Sequence, residues 1–333
     1  MQMIKKNMVA LAVAGALISP LTAMADDAEV SGFIDIIANT DRDPVFTADA
    51  EVDVSKKMGA VTVRMDFDAN LAGNGGGSYG GEDSGRLEQA FFAWEATDMV
   101  TVMGGLFNNP IGQEAEDAPD LNFTSHSAIW NILDGQTALY GNNLAGVAAA
   151  IAAGPATVTL AVVDDLGLAT NDAGDKGKTS VALVVNAAPM PGLDLELGYV
   201  TQDDQKNVAG NPTTAGDVLD FNAAFSTGPV TLGLDYLVAD NAVDSAANLW
   251  VGFNVNDKVA VKARYETVAF EANGTDDSTK TTLYAAYSIE DNLLVALEWS
   301  DGETDTDNAG VSTDATSGIM NDSVTTLEFI GTF

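Results

Sequence analysis

The sequence predicts an all-β fold, a closed antiparallel transmembrane β-barrel of about 16 strands, and three observations carry this prediction. Apolar and polar residues alternate along most of the chain, as in strands that face lipid on one side and water on the other. Short turns alternate with longer polar stretches between these strands. The final alternating run, which begins at Val324, ends on an aromatic residue, Phe333.

The alternation assigns a face to each strand residue, because successive side chains of a strand point to opposite sides. Residues predicted to face lipid include Leu195, Leu232, Val261 and Val295. Their neighbours Glu196, Asp235, Lys262 and Glu298 are predicted to face the lumen. Several apolar faces end in an aromatic residue, which is typical of the girdle that a barrel places at the lipid headgroups.

The connections predict which end of the barrel each one occupies. Seven are short, such as Gly154-Pro155 and Gly228-Pro229, and are predicted to be periplasmic turns. Eight are longer and are predicted to be external loops, among them 108–140 and 240–246. An even strand number returns the end of the chain to the side on which the first strand begins. A secreted β-sandwich is the alternative, but it does not ordinarily keep one long and short rhythm throughout.

The first 25 residues are predicted to be a cleaved signal peptide. A basic start at Lys5 and Lys6 precedes an apolar run that ends at Ile18, and Ala23-Met24-Ala25 forms a cleavage site. A membrane anchor is the alternative, but this run is shorter than the ~20 residues that a spanning helix needs. The predicted organisation is therefore a signal peptide over 1–25 and one barrel over 26–333, located in the outer membrane after export through the periplasm.

Composition excludes several classes of function. The chain has 14 Lys and Arg against 49 Asp and Glu, and a formal net charge of −35. Loss of the two leader lysines makes the mature chain still more acidic, at −37. Without a basic patch a nucleic-acid partner is excluded. The absence of cysteine excludes disulfides and thiol chemistry.

Residues 86–127 carry a resemblance to a known family. The three segments that carry it are Arg86-Leu-Glu-Gln-Ala-Phe-Phe-Ala-Trp-Glu, Val102-Met-Gly-Gly-Leu-Phe-Asn-Asn-Pro-Ile-Gly-Gln-Glu and Phe123-Thr-Ser-His-Ser. Together they resemble the OmpL-like β-barrel porins of Gram-negative bacteria. The resemblance implies a water-filled channel for ions and small hydrophilic solutes, surrounded by outer-membrane lipid and lipopolysaccharide. It also implies a homotrimer, the usual state of general porins of this strand number.

Loop 108–140 is the third external loop, and in general porins the third external loop folds inward and narrows the pore. The residues predicted to form this pore constriction are Glu114, Glu116, Asp117 and Asp120. The alternative is a surface loop packed over the mouth of the barrel.

The predicted lumen wall is strongly acidic. The predicted pore-lining residues are Arg64, Asp66, Glu88, Glu196, Asp235, Lys262, Arg264 and Glu298. Such a wall concentrates cations and repels anions within about 8–10 Å at moderate salt, so the channel is expected to prefer cations. The alternative is a pore wide enough for selectivity to be slight.

The sequence gives no catalytic residue and no cofactor. His126 lies between Ser125 and Ser127, but no hydrolase motif accompanies it. Acidic loops such as 301–308 could hold Ca²⁺, but they lack the spacing of an EF-hand and are interpreted as solvated loops. No metal site and no enzyme are predicted. The alternative to a channel is a structural or surface-interaction barrel, an adhesin or tether without an open pore.

Overall fold

A computed structural model describes residues 28–40, 45–69, 86–137, 143–164, 179–201, 217–240, 243–270, 277–304, 318–319 and 321–333. The predicted signal peptide over 1–25 lies outside these residues and remains a prediction. Among the described residues, none of the helices combines the length and the apolar character needed to cross a bilayer.

Sixteen strands make up the described sheet, and two short helical elements lie between the fifth and the sixth. The strands are β1 (Glu29–Asn39), β2 (Phe46–Met58), β3 (Val61–Asp68), β4 (Arg86–Thr97), β5 (Val100–Asn108), β6 (Asn143–Ala153), β7 (Ala156–Asp164), β8 (Thr179–Met190), β9 (Leu193–Thr201), β10 (Val218–Thr227), β11 (Val230–Ala239), β12 (Val243–Asn254), β13 (Val259–Phe270), β14 (Ser278–Glu290), β15 (Leu293–Glu303) and β16 (Ser323–Thr332). The helical elements are a 3-10 turn, Ala118–Asp120, and the helix α1, Ala128–Thr137.

Each strand pairs antiparallel with its neighbours in sequence, and β1 pairs with β16 to close the barrel. Phe33 lies opposite Thr332, and the backbone N–H of Phe333 donates to the carbonyl of Gly32 at 3.1 Å. The first described strand and the end of the chain therefore lie at the same end of the barrel, as an even number of strands requires. Closure leaves no unpaired strand edge in lipid. The predicted barrel of about 16 strands is confirmed.

The predicted bounds of the external loops are wrong where strands continue further than expected. Residues 240–246 were expected to form a long loop, but β12 begins at Val243, so the connection is 240–242. The polar residues Asp244 and Ser245 belong to the external end of a strand, where both faces can be polar because the strand extends towards water. Similarly, β15 continues to Glu303 and shortens the loop expected from residue 301.

The two faces of the wall follow the predicted alternation. Leu232 and Val261 point outwards and are 47% and 39% exposed, whereas Glu196 and Glu298 point into the barrel and are each 3% exposed. Such an outer apolar surface is stable in lipid, where burial in hydrocarbon replaces the packing of a soluble core. The low exposure of inward carboxylates shows that the lumen is filled next to them.

The lumen contains an apolar core that the alternation did not predict. It lies towards the external end and includes inward residues of β6 to β13. Wall members of this core include Leu144, Val163, Val184, Leu237 and Val243. The signal for it lies in strands such as β7, ATVTLAVVD, which are apolar on both faces. A strand of this type is buried on both sides, by lipid outside and by protein inside.

Candidate pore constriction

Residues 109–137, here called the inner loop, leave β5 and lie inside the barrel. Three contacts trace their course across the lumen. The N–H of Gly112 donates to Glu196 on β9 at 2.8 Å. The carbonyl of Asn122 accepts from Lys262 on β13 at 2.6 Å. The hydroxyl of Thr124 donates to Glu328 on β16 at 2.8 Å. The inner loop therefore crosses from one wall to another and does not lie over the mouth.

Glycine permits the closest approach of the inner loop to the wall. A Cβ atom at Gly198 on β9 would lie 2.4 Å from Cγ1 of Ile111, so a larger residue there would displace the loop. Gly112 has φ +97°, a backbone conformation that favours glycine, and a Cβ there would meet Leu133 at 2.9 Å. Together these two positions allow Ile111 to be buried against the wall with 2% exposure.

Several hydrogen bonds hold the start of helix α1. Ser127 is its N-cap, with Oγ accepting from the N–H of Trp130 at 3.1 Å. The N–H of Ala128 donates to Glu266 on β13 at 2.6 Å, and the N–H of Ser127 donates to Glu114 at 2.8 Å. Carboxylates at this end are favourable because the N-terminus of a helix carries partial positive charge. These bonds fix the first turn against the β13 wall.

Apolar packing holds the same helix from its other side. Ile129, Ile132 and Leu133 are buried in the apolar core that the inward residues of the wall provide. Ile319, from the connection between β15 and β16, is also buried in this core. Removing such a side chain from a core costs about 2–5 kcal/mol in other proteins. The helix is therefore part of the folded interior of the barrel.

Wall carboxylates on β15 and β16 bind the backbone of the inner loop. One oxygen of Glu298 accepts from the N–H groups of Thr124 and Ser125, at 2.8 and 3.3 Å. Because these loop N–H groups would otherwise be buried without a partner, each bond avoids a desolvation cost of about 1–3 kcal/mol. Glu298 was predicted as a pore-lining residue, and the structure places it inside the barrel but beneath the loop.

Wall bases bind the carbonyl groups of the same stretch. Nη2 of Arg264 donates to the carbonyl oxygens of Ser125 and His126, at 3.0 and 3.1 Å. Its Nε also lies 3.0 Å from Glu266. Lys280 donates to Oγ of Ser125 at 3.2 Å. Lys280 was missed as a lumen residue, although its place in the alternation of β14, opposite Glu266, could have revealed it.

Phe123 anchors the turn between these contacts. Its ring packs edge-on against Trp250 and Tyr284, with centroid distances of 6.4 and 5.8 Å. The guanidinium of Arg264 lies 4.5 Å from the centre of the Phe123 ring, and Nζ of Lys262 lies 5.8 Å from it. Both contacts are cation–π interactions, which are stronger when the cation is shielded from water.

Glu114 and His126 join the two arms of the inner loop. Nδ1 of His126 lies 3.0 Å from Oε1 of Glu114, and its ring stacks on Trp130 with centroids 3.6 Å apart. Burial raises the pKa of Glu114, but the hydrogen bond and the charge of His126 outweigh it and hold this pKa below its usual range. The carboxylate is therefore ionised at neutral pH, as the predicted constriction requires.

The serines beside His126 have other partners. Oγ of Ser125 accepts from Arg264 and Lys280, and Oγ of Ser127 caps helix α1. His126 itself is bonded to Glu114 through Nδ1. These contacts hold parts of the inner loop together.

A second group of carboxylates lies on the opposite wall, on β2 to β4. Arg64 bonds Asp66 at 2.8 Å and Asp53 at 3.0 Å. Glu88 accepts from Asn143 at 3.2 Å, and Asp117 of the inner loop faces this group. Burial raises the pKa of Asp117, an effect that its bond to Glu51 and the charge of Arg64 reduce. This side of the lumen therefore carries several acids against the guanidinium of Arg64.

The remaining predicted site residues do not form one cluster. Glu116 is half-buried and lies 3.4 Å from Nδ2 of Asn143, whereas Asp120 is exposed at the end of the 3-10 turn. Asp235 is buried in the β11 wall. Glu114 and Asp235 line a space of about 530 Å³ that also borders Arg264, between the inner loop and β10 to β13. Some of the predicted site residues thus anchor the inner loop, and others line the part of the lumen that the loop leaves open.

Comparison with known proteins gives a family and a fold. The family model for beta-barrel porin-2, OmpL-like, matches residues 29–330. A solved Salmonella typhi OmpF complex with daunomycin is similar, with TM-score 0.69 and 11% identity over 92% of this chain and 97% of that chain. A mutant Rh. blastica porin gives TM-score 0.60 and 13% identity over 92% and 100% of the two chains.

A loop-deletion mutant of OmpT, an outer membrane protein of Vibrio cholerae, gives TM-score 0.58 and 15% identity over 92% and 99% of the two chains. At these identities the likeness to the solved structures shows a shared fold. No curated protein matches the chain in sequence.

Proposed function

Because the chain belongs to the OmpL-like β-barrel porin family of the outer membrane, we propose that it forms a water-filled channel with the inner loop as its constriction. Ions and small hydrophilic solutes would cross it by passive diffusion. The predicted family and outer-membrane location are confirmed, and the open pore and its selectivity are the proposal. Surrounding outer-membrane lipid and lipopolysaccharide would contact the apolar outer face.

The position of the inner loop carries this proposal. A loop that is bonded to Glu196, Arg264 and Glu298 on different strands narrows the barrel at a fixed place. A barrel of 16 strands is wide enough to leave an aqueous channel unless something fills it. The remaining cross-section, and the charges beside it, would then determine which solutes pass.

We propose that the channel prefers cations. Among the predicted pore-lining residues, Arg64 is already paired with Asp53 and Asp66, and Arg264 and Lys262 are bonded to the inner loop. Carboxylates outnumber these bases on the wall. An acidic wall raises the local concentration of cations most strongly when salt is dilute.

The proposed constriction residues contribute through their charge. Glu114, Glu116, Asp117 and Asp120 all belong to the inner loop, and they add negative charge to the narrow part. Their surroundings differ, because Glu114 also bonds both arms of the inner loop whereas Asp120 is exposed. Their joint neutralisation is expected to weaken cation preference.

The alternative function is a structural or surface-interaction barrel without an open pore. Planar-bilayer recordings of the purified protein separate the two. We expect stable unit steps of conductance, and a smaller unit step in Gln113→Trp because Gln113 borders the space between the inner loop and β10 to β13. Leu249→Trp, on the lipid face, is the matched control and should keep the wild-type step. Protein that inserts but gives no steps would favour the structural barrel.

We extend the proposal to a homotrimer of three barrels side by side. Its support is the resemblance to general porins of this strand number. The mass of the detergent-solubilised protein, measured by light scattering, should equal three chains after subtraction of detergent. A mass of one chain would contradict this part of the proposal and leave the channel itself unaffected.

A further inference from the structure

Three carboxylates from three separate elements meet on the acidic side of the lumen. Glu51 lies on β2, Glu88 lies on β4 and Asp117 lies on the inner loop. One oxygen from each lies within 4.8 Å of the other two. A second group, Glu51 with Asp53 and Asp66, meets the same criterion and shares Glu51. Glu51 is therefore the centre of five acidic side chains.

Among the side chains that the structure describes, nearby positive charge does not balance this group. Arg64 bonds Asp66 at 2.8 Å and Asp53 at 3.0 Å, so its donors are directed at two of the five acids. Like charges at such distances cannot all be ionised without a counterion or a shared proton. A bond between Asp117 and Glu51 requires such a shared proton, and if all five acids were ionised the segment at Asp117 would be repelled from the wall.

Glu51 provides an independent indication of a ligand. Its side chain is 2% exposed, and its Oε1 atom is buried without a hydrogen-bond partner among the described residues. A buried carboxylate oxygen without a partner costs free energy, because it has lost water and gained nothing in return. This oxygen belongs to the residue that both acidic groups share.

We propose that Glu51, Glu88 and Asp117 bind one calcium ion, which ties the inner loop to the wall of β2 to β4. Calcium is bound by oxygen ligands at about 2.3–2.6 Å, so oxygens on opposite sides of the ion are about 4.6–5.2 Å apart. Three oxygens within 4.8 Å of one another fit around one such ion. The ion would replace repulsion with shared coordination and would give the buried oxygen of Glu51 a partner.

This site would add an anchor on β2 and β4 to those that the inner loop already has. The existing anchors are hydrogen bonds and include those to Glu196 on β9, to Lys262 on β13 and to Glu298 on β15. Calcium binding requires only the folded barrel and does not rest on an open pore. Binding and conductance can therefore fail independently.

Isothermal titration of the full-length folded protein in detergent, freed of metal with EDTA and titrated with CaCl₂, tests the proposal. We expect one saturable site in the wild type, and loss of that site in Glu51→Gln and in Asp117→Asn. Asp257→Asn removes a carboxylate from an exposed periplasmic turn and should bind calcium like the wild type. This control distinguishes a built site from general attraction to an acidic protein.

Thermal unfolding gives a second measurement that does not depend on heat of binding. Calcium should raise the unfolding temperature of the wild type and of Asp257→Asn, and should leave that of Asp117→Asn unchanged. In EDTA, Asp117→Asn should be at least as stable as the wild type, because it removes repulsion. The proposal would be overturned if the wild type showed no saturable binding. It would also be overturned if Glu51→Gln and Asp117→Asn bound calcium as well as the wild type does.

Discussion

Glu114 links both arms of the inner loop through His126 and the N–H of Ser127. Because its pKa is lowered in the folded protein, the stabilisation that it gives is complete above the unfolded pKa of about 4.3 and is lost as pH falls through the lower folded pKa. Other charges that act on this carboxylate are Arg264, Lys280 and Asp235. Protonation of Glu114 would therefore weaken the contacts that join the two arms of the inner loop.

The pH dependence of channel noise tests this role. Brief closures in wild-type recordings should become more frequent at an acid pH below the folded pKa of Glu114 than at neutral pH, because the carboxylate is then protonated. Glu114→Gln should close frequently at both pH values and show little further change on acidification. Glu95→Gln, at the periplasmic end of β4, is the control and should follow the wild type. Identical noise in all three proteins at both pH values would contradict the role of Glu114.

The depth of an outward residue determines the cost of placing a charge there. Leu234 lies in the middle of β11, whereas Val261 lies near the periplasmic end of β13. Leu234→Lys is expected to lower the free energy of unfolding from lipid by about 2–4 kcal/mol, and Val261→Lys by about 0–1 kcal/mol. Urea unfolding in lipid vesicles measures both. Equal costs at the two positions would show that the assigned depths are wrong.

At the scale of elements, the inner loop depends on buried groups of several strands. Glu298 alone accepts two of its backbone N–H groups, and Glu266 accepts another at the start of helix α1. Glu298 was predicted from the alternation to line water. Both carboxylates instead bind protein, because the loop covers them and supplies donors. Their charge is thus available to ions only in part.

Hydrogen exchange measures the contribution of one such anchor. Glu298→Ala leaves the N–H groups of Thr124 and Ser125 without a carboxylate, at a cost of about 1–3 kcal/mol. Exchange of the peptide containing them should accelerate by about 5- to 150-fold. Glu290→Ala, at the exposed end of β14, should leave this exchange unchanged. Unaltered protection in Glu298→Ala would mean that the loop is held by its apolar helix and the bases alone.

For the whole molecule, the sequence predicts the wall better than its contents. Strand order, closure and the facing of Leu232 and Glu196 follow from local periodicity, because neighbouring residues in a strand alternate strictly. The path of the inner loop depends on contacts such as Gly112 with Glu196, 84 residues apart, which no local pattern encodes. Lys280 was missed because it lies in the run Ser278–Thr282, where polar residues occupy both faces.

Charge is also distributed unevenly around the lumen. Arg264, Lys262 and Lys280 lie on β13 and β14, where they hold the inner loop. The acids around Glu51 lie on the other side, and calcium at that site would reduce their net negative charge. Cation preference is therefore best measured in EDTA, where all the carboxylates of the constriction contribute.

The reversal potential under a KCl gradient measures whether the inner loop forms a cation-preferring constriction. We expect the wild-type channel to favour K⁺ over Cl⁻, most strongly in dilute salt because screening there is weakest. Joint neutralisation of Glu114, Glu116, Asp117 and Asp120 to their amides should reduce that preference, whereas Asp257→Asn should not. A wild-type channel that favours Cl⁻ would contradict the account and would mean that Arg64, Lys262 and Arg264 dominate the path of the ions.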